Sequence, residues 1–138
     1  MARETALAAL AATLATVPGF AVVRNPEAIE VVGNGLIVIR DGDPGEPEVL
    51  LSPLTYSYQH PVPVEVYREG GADKEAALAA GLQPVGSILE ADRTLGGAVG
   101  WLTLSPPQTA FDRPPGTEEL AAARFFVTLE YDTASPLG

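Results

Sequence analysis

The sequence predicts an α+β fold in which an antiparallel or mixed β-sheet of about four or five strands packs against two main helices. Two stretches have the three- and four-residue apolar spacing of amphipathic helices. Most other apolar residues alternate with polar ones, which is typical of strands with one buried face. With 138 residues and no linker of domain scale, the chain is expected to form a single domain over residues 1–138.

An apolar stripe near the amino terminus indicates the first helix. It comprises Leu7, Leu10, Leu14 and Val17, and a Pro-Gly pair follows it and ends the helix. The stretch is rich in alanine, contains two threonines and follows an arginine–glutamate pair, so a helix of the mature protein is favoured over a signal peptide. No apolar run reaches the roughly 18 residues of a membrane span, so a soluble protein is expected.

Several short stretches predict strands of the sheet. Residues 20–24 are rich in β-branched side chains, and residues 36–40 follow a Gly-Asn-Gly sequence that supplies a turn. Residues 101–104 form a third short apolar run. The last stretch is the clearest, since apolar side chains at the odd positions 125–131 alternate with mostly polar side chains at the even positions.

The longest β-like stretch is residues 49–68, and its prolines limit where it can lie in a sheet. Pro53, Pro61 and Pro63 cannot donate a backbone hydrogen bond to a neighbouring strand. We therefore expect one long strand that is kinked, bulged or at a sheet edge for part of its length. An edge strand offers unpaired backbone groups to another chain, which is a first indication of assembly.

A second helix is expected over residues 73–95. Its apolar stripe has helical spacing and comprises Leu78, Leu82, Val85 and Leu89. Asp73 stands where a capping side chain is needed at the amino terminus. Gly81 and Pro84 interrupt the middle of the stretch, which predicts a kink or two shorter helices.

Eighteen acidic and eight basic residues give the chain a formal net charge of −10. This balance argues against wrapping DNA or RNA, because lysine and arginine are needed to displace phosphate counterions. It argues equally against docking on an anionic membrane. Two interpretations stay open: the acidic excess serves solubility alone, or it repels nucleic acid from a particular surface. The absence of cysteine excludes disulfides and thiol chemistry.

Residues that commonly perform catalysis or hold cofactors are sparse. His60 is the single histidine and precedes a proline within the long β-like stretch, which favours a structural hydrogen bond over catalysis. The serines do not lie in Gly-x-Ser-x-Gly turns, and no glycine cluster has the sequence of a phosphate-binding loop. Asp41, Asp43 and Glu46 lack the spacing of a calcium loop. No catalytic, cofactor-binding or metal-binding residue is assigned, and the protein is not expected to be an enzyme.

Two loops stiffened by prolines are candidates for contacts with other proteins. Residues 41–47 combine acidic residues with glycine and proline, and residues 105–116 contain four prolines. Phe126 interrupts the polar face of the last strand, so we expect it to pack under a helix or against a neighbouring molecule. The candidate assembly contacts are Asp41, Asp43, Glu46, Pro106, Pro107, Arg113 and Phe126.

Four segments taken together resemble a known family. They are residues 36–49 (LIVIRDGDPGEPEV), 51–60 (LSPLTYSYQH), 64–67 (VEVY) and 91–97 (ADRTLGG). In this order they are similar to the tail terminator, or tail completion, proteins of siphophage-like prophages, and especially to the equivalent tail component of gene transfer agents in α-proteobacteria. The resemblance extends from about residue 7 to the carboxyl terminus, and the glycine and proline within the second helix depart from it.

The resemblance implies a virion structural protein that closes into a hexameric ring on a phage tail. Such a ring caps the tail tube protein, stops its polymerisation and presents a surface to the head-neck connector protein, while DNA passes through the lumen without specific binding. It also implies assembly in the bacterial cytoplasm and a final location in the tail of a virion or phage-like particle. Two alternatives are a small non-catalytic α+β binding module and, less favoured, a small hydrolase or acyl transferase.

Overall fold

The computed structural model of the protein describes residues 2–31, 33 and 35–137. Within these residues it contains two helices and a six-stranded mixed sheet, so the expected α+β class is confirmed with slightly more strands than expected. In chain order the elements are α1 (Ala2–Leu14), β1 (Phe20–Arg24), β2 (Gly35–Ile39), β3 (Glu48–Leu50), β4 (Thr55–Glu69), α2 (Lys74–Ala91), β5 (Trp101–Leu104) and β6 (Leu120–Thr133). The turn expected before β2 includes Asn34, which lies outside the described residues.

The sheet is built around the antiparallel pair of β4 and β6. Their register runs without interruption from Tyr56 opposite Thr133 to Glu69 opposite Leu120. The strand order is β1-β2-β4-β6-β5, and β3 pairs with the first residues of β4 on the same side as β2. β1 is parallel to β2, whereas the other pairings are antiparallel. The β4–β6 pair therefore has β2 and β3 along one side and β5 along the other.

Both helices pack on one face of the sheet, where the main hydrophobic core lies. The predicted stripe of α1 is buried against alternate residues of the strands. In α2, Val85 and Leu89 are buried in the same way. From the two central strands this core takes Tyr58, Val62, Val64, Val66, Phe125, Val127, Leu129 and Tyr131. The odd-position alternation predicted for the last strand is thus confirmed, since these side chains face the helices.

The opposite face of the sheet is covered over one half only. Leu36, Val38 and Tyr67 pack there against apolar side chains from the segment after β1 and from the loop before β6, including Phe111. Glu65 is 5% exposed on this face, where Arg40 pairs with its carboxylate at 3.1 Å and the Tyr67 hydroxyl donates to it at 2.6 Å. The buried carboxylate is therefore both paired and hydrogen-bonded, as burial of a charge requires.

The expectation of one long strand over residues 49–68 is wrong, because the stretch contains two strands. A turn separates β3 from β4, and Glu48 comes to lie opposite Ser57. β4 is also a central strand. On the side away from β6, β3 pairs with residues 55–57 and β2 pairs with residues 64–67, and no strand pairs with the short section between them. The turn after β2 fills this section, since the Arg40 amide donates to the Pro63 carbonyl at 3.0 Å.

The second helix follows the predicted stripe but is a single element. Asp73 caps it as expected, since its side chain accepts a hydrogen bond from the Ala76 amide at 3.1 Å. The helix continues through Pro84, so the expectation of two shorter helices is wrong, and it ends at Ala91 rather than at residue 95. Val85 and Leu89, which follow the proline, pack against the sheet, and this packing offsets the hydrogen bond that the proline removes.

The turn that fills the gap beside β4 depends on a glycine at position 42. Gly42 has a φ of 68°, and a Cβ there would lie 2.8 Å from the Pro61 carbonyl oxygen. Gly45 has a similar φ of 72°, but a Cβ there would meet nothing within 4 Å.

Gly45→Ala should cost about 1 kcal/mol of unfolding free energy for its left-handed backbone, and Gly42→Ala at least about 2–3 kcal/mol because of the added clash. Chemical denaturation of both variants measures the difference, and equal losses would contradict this role of Gly42.

Candidate assembly surface

His60 anchors the loop after β2 to the two central strands. Its side chain is 0% exposed, and both of its ring nitrogens are within hydrogen-bonding distance of protein groups. Nε2 lies 2.6 Å from the Asp41 carbonyl oxygen, which can only accept, so Nε2 carries a proton. Nδ1 of the neutral ring then accepts from the Tyr131 hydroxyl at 2.9 Å. Burial lowers the pKa of His60, although the Asp41 carbonyl partly offsets this effect, and burial raises the pKa of Tyr131.

Asp41 takes part in this network, although its side chain is 47% exposed. Its carboxylate accepts from Arg24 at 3.0 Å, and its amide donates to the Asn25 side chain at 3.0 Å. Burial acts to raise the pKa of Asp41, but the hydrogen bonds from Arg24 and Asn25 outweigh it and leave the pKa lowered. Arg24 also pairs with Glu4 at 2.7 Å and lowers its pKa. Asp41 thus links the loop to β1 and α1.

The rest of the loop 41–47 is more open to other molecules. The Asp43 side chain accepts a hydrogen bond from the Gly45 amide at 2.8 Å, which forms a local turn. Asp43 and Glu46 are both exposed. All three acidic residues predicted as contacts in this loop therefore have surface that a partner can reach, and Asp41 differs in being tied to Arg24 and Asn25.

The loop 105–116 is fastened at its far end by Arg113. The Arg113 guanidinium donates to the carbonyls of Thr117 and Leu120, at 2.8 Å for Leu120, and so holds the end of the loop against the start of β6. Pro106 and Pro107 are exposed at its other end. Arg113 therefore has an internal structural role, whereas the two prolines have free surface.

Phe126 lies on the face of the sheet that is opposite to the helices. Its neighbours Phe125 and Val127 face the helix core, so the expectation that Phe126 packs under a helix is wrong. The Arg124 guanidinium lies 5.4 Å from the ring centroids of both Phe126 and Phe111. Phe126 remains partly exposed, and its packing against a neighbouring molecule stays a prediction.

The two predicted contact loops lie on opposite sides of the central strand pair. The loop after β2 runs beside β4, as shown by the Arg40 amide and the Pro63 carbonyl. The loop after β5 runs beside β6, since the Ser105 amide donates to the Phe126 carbonyl at 3.0 Å. Pro63 and Phe126 are directly opposite each other in the β4–β6 pair, so the two loops lie beside the same part of these strands. The structure does not bring the predicted contacts into one patch.

The uncovered half of the sheet carries an acidic strip. We define the strip as Glu48, Glu130 and Asp132 together with the side chains between them. One row across the sheet is Glu48, Ser57 and Asp132, and the adjacent row on the same face is Gln59, Glu130 and Trp101. Trp101 is 47% exposed at the end of the second row. No lysine or arginine lies in residues 41–67 or 125–138, so the strip has no basic residue on its central strands.

An exposed apolar turn is a feature that the sequence analysis missed. Val49, Leu50, Leu51 and Leu54 are exposed by 52%, 42%, 77% and 52%, and we call them the apolar tip. They surround the turn between β3 and β4 at one end of the sheet. Four large aliphatic side chains exposed within six residues mark a contact surface more often than a free one. The sequence pattern gave no sign of them, because leucine and valine are typical of the buried face of a strand.

The described part of the chain lacks a cluster of metal-ligating side chains and a helix of membrane-spanning length. It contains no group of three or more acidic or histidine side chains that could hold a metal ion. The surface concavities are shallow, with volumes of about 130 to 380 Å³. Neither α1 nor α2 is long and apolar enough to cross a membrane.

Comparison of the sequence with models of known protein families found no match, and neither did a search of curated proteins.

The His60 network predicts a defined dependence of stability on pH. Above about pH 6.5 the imidazole is neutral in both the folded and the unfolded state. As the pH falls below this value, the unfolded state takes up a proton before the folded state does, so the free energy of unfolding falls until the lowered folded pKa is reached. The limiting slope is about 1.4 kcal/mol per pH unit for one proton.

The variant His60→Gln separates this effect from other titrations, because an amide can keep a donor and an acceptor at this site. Denaturation curves of both proteins between about pH 5 and pH 7 should show a pH slope in the natural protein that is absent from the variant. Glu4 and Asp41 have lowered pKa values and titrate in both proteins below this range. Parallel slopes would show that His60 does not control stability in this window.

Proposed function

We propose that this protein is a structural subunit of a phage-like or gene transfer agent tail. In this role it forms a ring that caps the tail tube and joins it to the head-neck connector. Its work is assembly rather than catalysis, and the final location is the tail of a virion or phage-like particle. The observation that carries the proposal is the presence of unlike surfaces on opposite edges of one sheet, in a chain whose segments resemble tail terminators.

A ring needs two different contact surfaces on each subunit. Copies that meet head to tail repeat one heterologous contact, and the series closes when the rotation per copy divides a full turn. The exposed acidic residues Asp43 and Glu46 lie on the β4 side of the sheet, whereas Pro106 and Pro107 lie on the β6 side. This separation suits contacts with two different neighbours better than it suits a single binding pocket.

The acidic strip suits the lumen of such a ring. DNA that passes through a tail carries a negative charge on every phosphate, and a basic lumen would retain it. Glu48, Glu130 and Asp132 repel phosphate, and the short polar side chains between them offer no cation. We assign the uncovered half of the sheet to the lumen for this reason. The internal hydrogen bonds of His60 support the same non-catalytic role, because both ring nitrogens are occupied.

Native mass spectrometry and negative-stain electron microscopy of the purified protein test the ring directly. The expected result is a single closed oligomer with a central opening, which also forms on the end of purified tail tubes. A protein that stays monomeric or stops at a dimer, both alone and with tail tubes, would overturn the proposed function.

Charge reversal tests the position of the acidic strip. The double variant Glu130→Lys with Asp132→Lys should form rings that retain double-stranded DNA at low salt, with affinity that falls steeply as salt is raised. The control is Glu118→Lys with Glu119→Lys, which changes the charge equally at exposed positions just before β6. Filter binding at several salt concentrations compares the two, and equal DNA binding by both variants would place the strip outside the lumen.

A further inference from the structure

The apolar tip is the largest concentration of exposed aliphatic surface among the described residues. Leu51 at its centre is 77% exposed, and its neighbours around the turn are exposed by 42 to 52%. β3 pairs with β4 alone, so the tip projects from the β4 side of the sheet. Water contact with four large aliphatic side chains is unfavourable, and covering them with an apolar surface would stabilise a complex.

An apolar groove lies at the opposite edge of the sheet, between α2 and β5. We call it the edge groove; it has a volume of about 130 Å³ and is lined by Leu82, Gly86, Leu104, Ser105, Pro107 and Phe125. A Cβ at Gly86 would meet only the Glu90 carboxylate within 4 Å, at 3.6 Å, so the glycine leaves the groove open. Pro107 in this lining is one of the contacts predicted from the sequence. The groove is a concave apolar surface of the kind that receives a projecting side chain.

The neighbouring charges decide between two ways of covering the tip. Contact between the tips of two copies would bring Glu46 and Glu48 of one copy close to the same residues of the other. No lysine or arginine in residues 41–67 could compensate these charges. Like charges at such an interface weaken it. The edge groove has no such excess of negative charge, because the nearby Glu90 carboxylate is paired with the Arg93 guanidinium at 3.5 Å. The groove of another copy is therefore the more favourable site for the tip.

Strand addition along β5 is a less suitable contact. The Arg93 guanidinium donates to the Leu102 carbonyl at 3.0 Å and lies 5.4 Å from the Trp101 ring centroid. A charged side chain that occupies an edge strand in this way blocks the approach of another strand. Side-chain insertion into the adjacent groove leaves this arrangement intact.

We propose that the apolar tip of each copy inserts into the edge groove of the next copy. The contact is heterologous, because the tip lies on the β4 side of the sheet and the groove on the β6 side. This inference rests on the proposed ring and names the surfaces that close it. Leu51 is the central side chain of the contact, and Gly86 keeps the site that receives it open.

Two single variants disable one surface each. Leu51→Asp places a charge on the tip at a position exposed enough to leave folding unaffected. Gly86→Phe fills the groove with an aromatic side chain. The matched controls are Leu51→Met, which keeps the tip apolar, and Gly86→Ala, which leaves most of the groove open. Thermal unfolding by circular dichroism verifies that all four variants are folded.

Analytical ultracentrifugation and native mass spectrometry give the readout. Each disabling variant alone should lose ring formation, with self-association weakened at least about tenfold, whereas both controls should form rings. An equimolar mixture of Leu51→Asp and Gly86→Phe should give a one-to-one dimer and nothing larger. In that mixture the intact tip of the Gly86→Phe copy meets the intact groove of the Leu51→Asp copy, and the remaining surfaces are both disabled.

The outcomes separate this inference from the proposed function. Rings that persist in either disabling variant, or a mixture that gives no dimer although the natural protein forms rings, would overturn the tip–groove contact and leave the ring standing. A natural protein that stops at a dimer would overturn the ring, while the one-to-one dimer in the mixture would still support the contact. A natural protein without self-association, combined with a mixture that gives no dimer, would overturn both.

Discussion

The uninterrupted pairing of β4 with β6 is the constraint on which the rest of the structure depends. It joins residues 56–69 to residues 120–133 and places the side chains at alternate positions of both strands on the same face. The helices cover the face that carries Tyr58 and Leu129, because the alternation there is apolar. A shift of one residue in this register would expose that core and bury the acidic strip. Burial of the helix face therefore fixes the positions of the acidic strip, the apolar tip and the edge groove.

Two prolines lie in the middle of this central strand without weakening the pairing. Pro61 and Pro63 are opposite Thr128 and Phe126, and the Pro63 carbonyl points to the loop beside β4, where it accepts from the Arg40 amide. In a strand, the amide and the carbonyl of one residue point to the same side. The side on which Pro61 and Pro63 lack an amide donor therefore faces this loop rather than β6. No strand pairs with β4 on that side between β3 and β2. The prolines thus exclude strand pairing from the gap, and Gly42 allows the loop to fill it.

Local patterns predicted most of the helices and strands, but they did not predict the exposed surfaces. The helical stripes, the cap at Asp73 and the alternation of the last strand could be predicted, because each depends on spacing within one segment. The turn between β3 and β4 could not, since Leu51 and Leu54 continue an apolar pattern and only the tertiary structure shows that they are exposed. The hydrogen bonds of Asp41 within the molecule could not be predicted either. Its partners Arg24 and Asn25 are distant in sequence, and no local pattern reveals them.

The same strand pair would also determine the geometry of the proposed head-to-tail assembly. The apolar tip is attached to the β4 side, and the edge groove is formed by α2 and β5 on the β6 side. The angle between the two surfaces is therefore set by the twist of the strands that separate them and by the packing of α2 on the sheet. Whether repeated contacts close into a ring, and after how many copies, depends on this angle. In the proposed ring, the core of the subunit would therefore control the number of copies, while the side chains of the tip and the groove would control the strength of the contact.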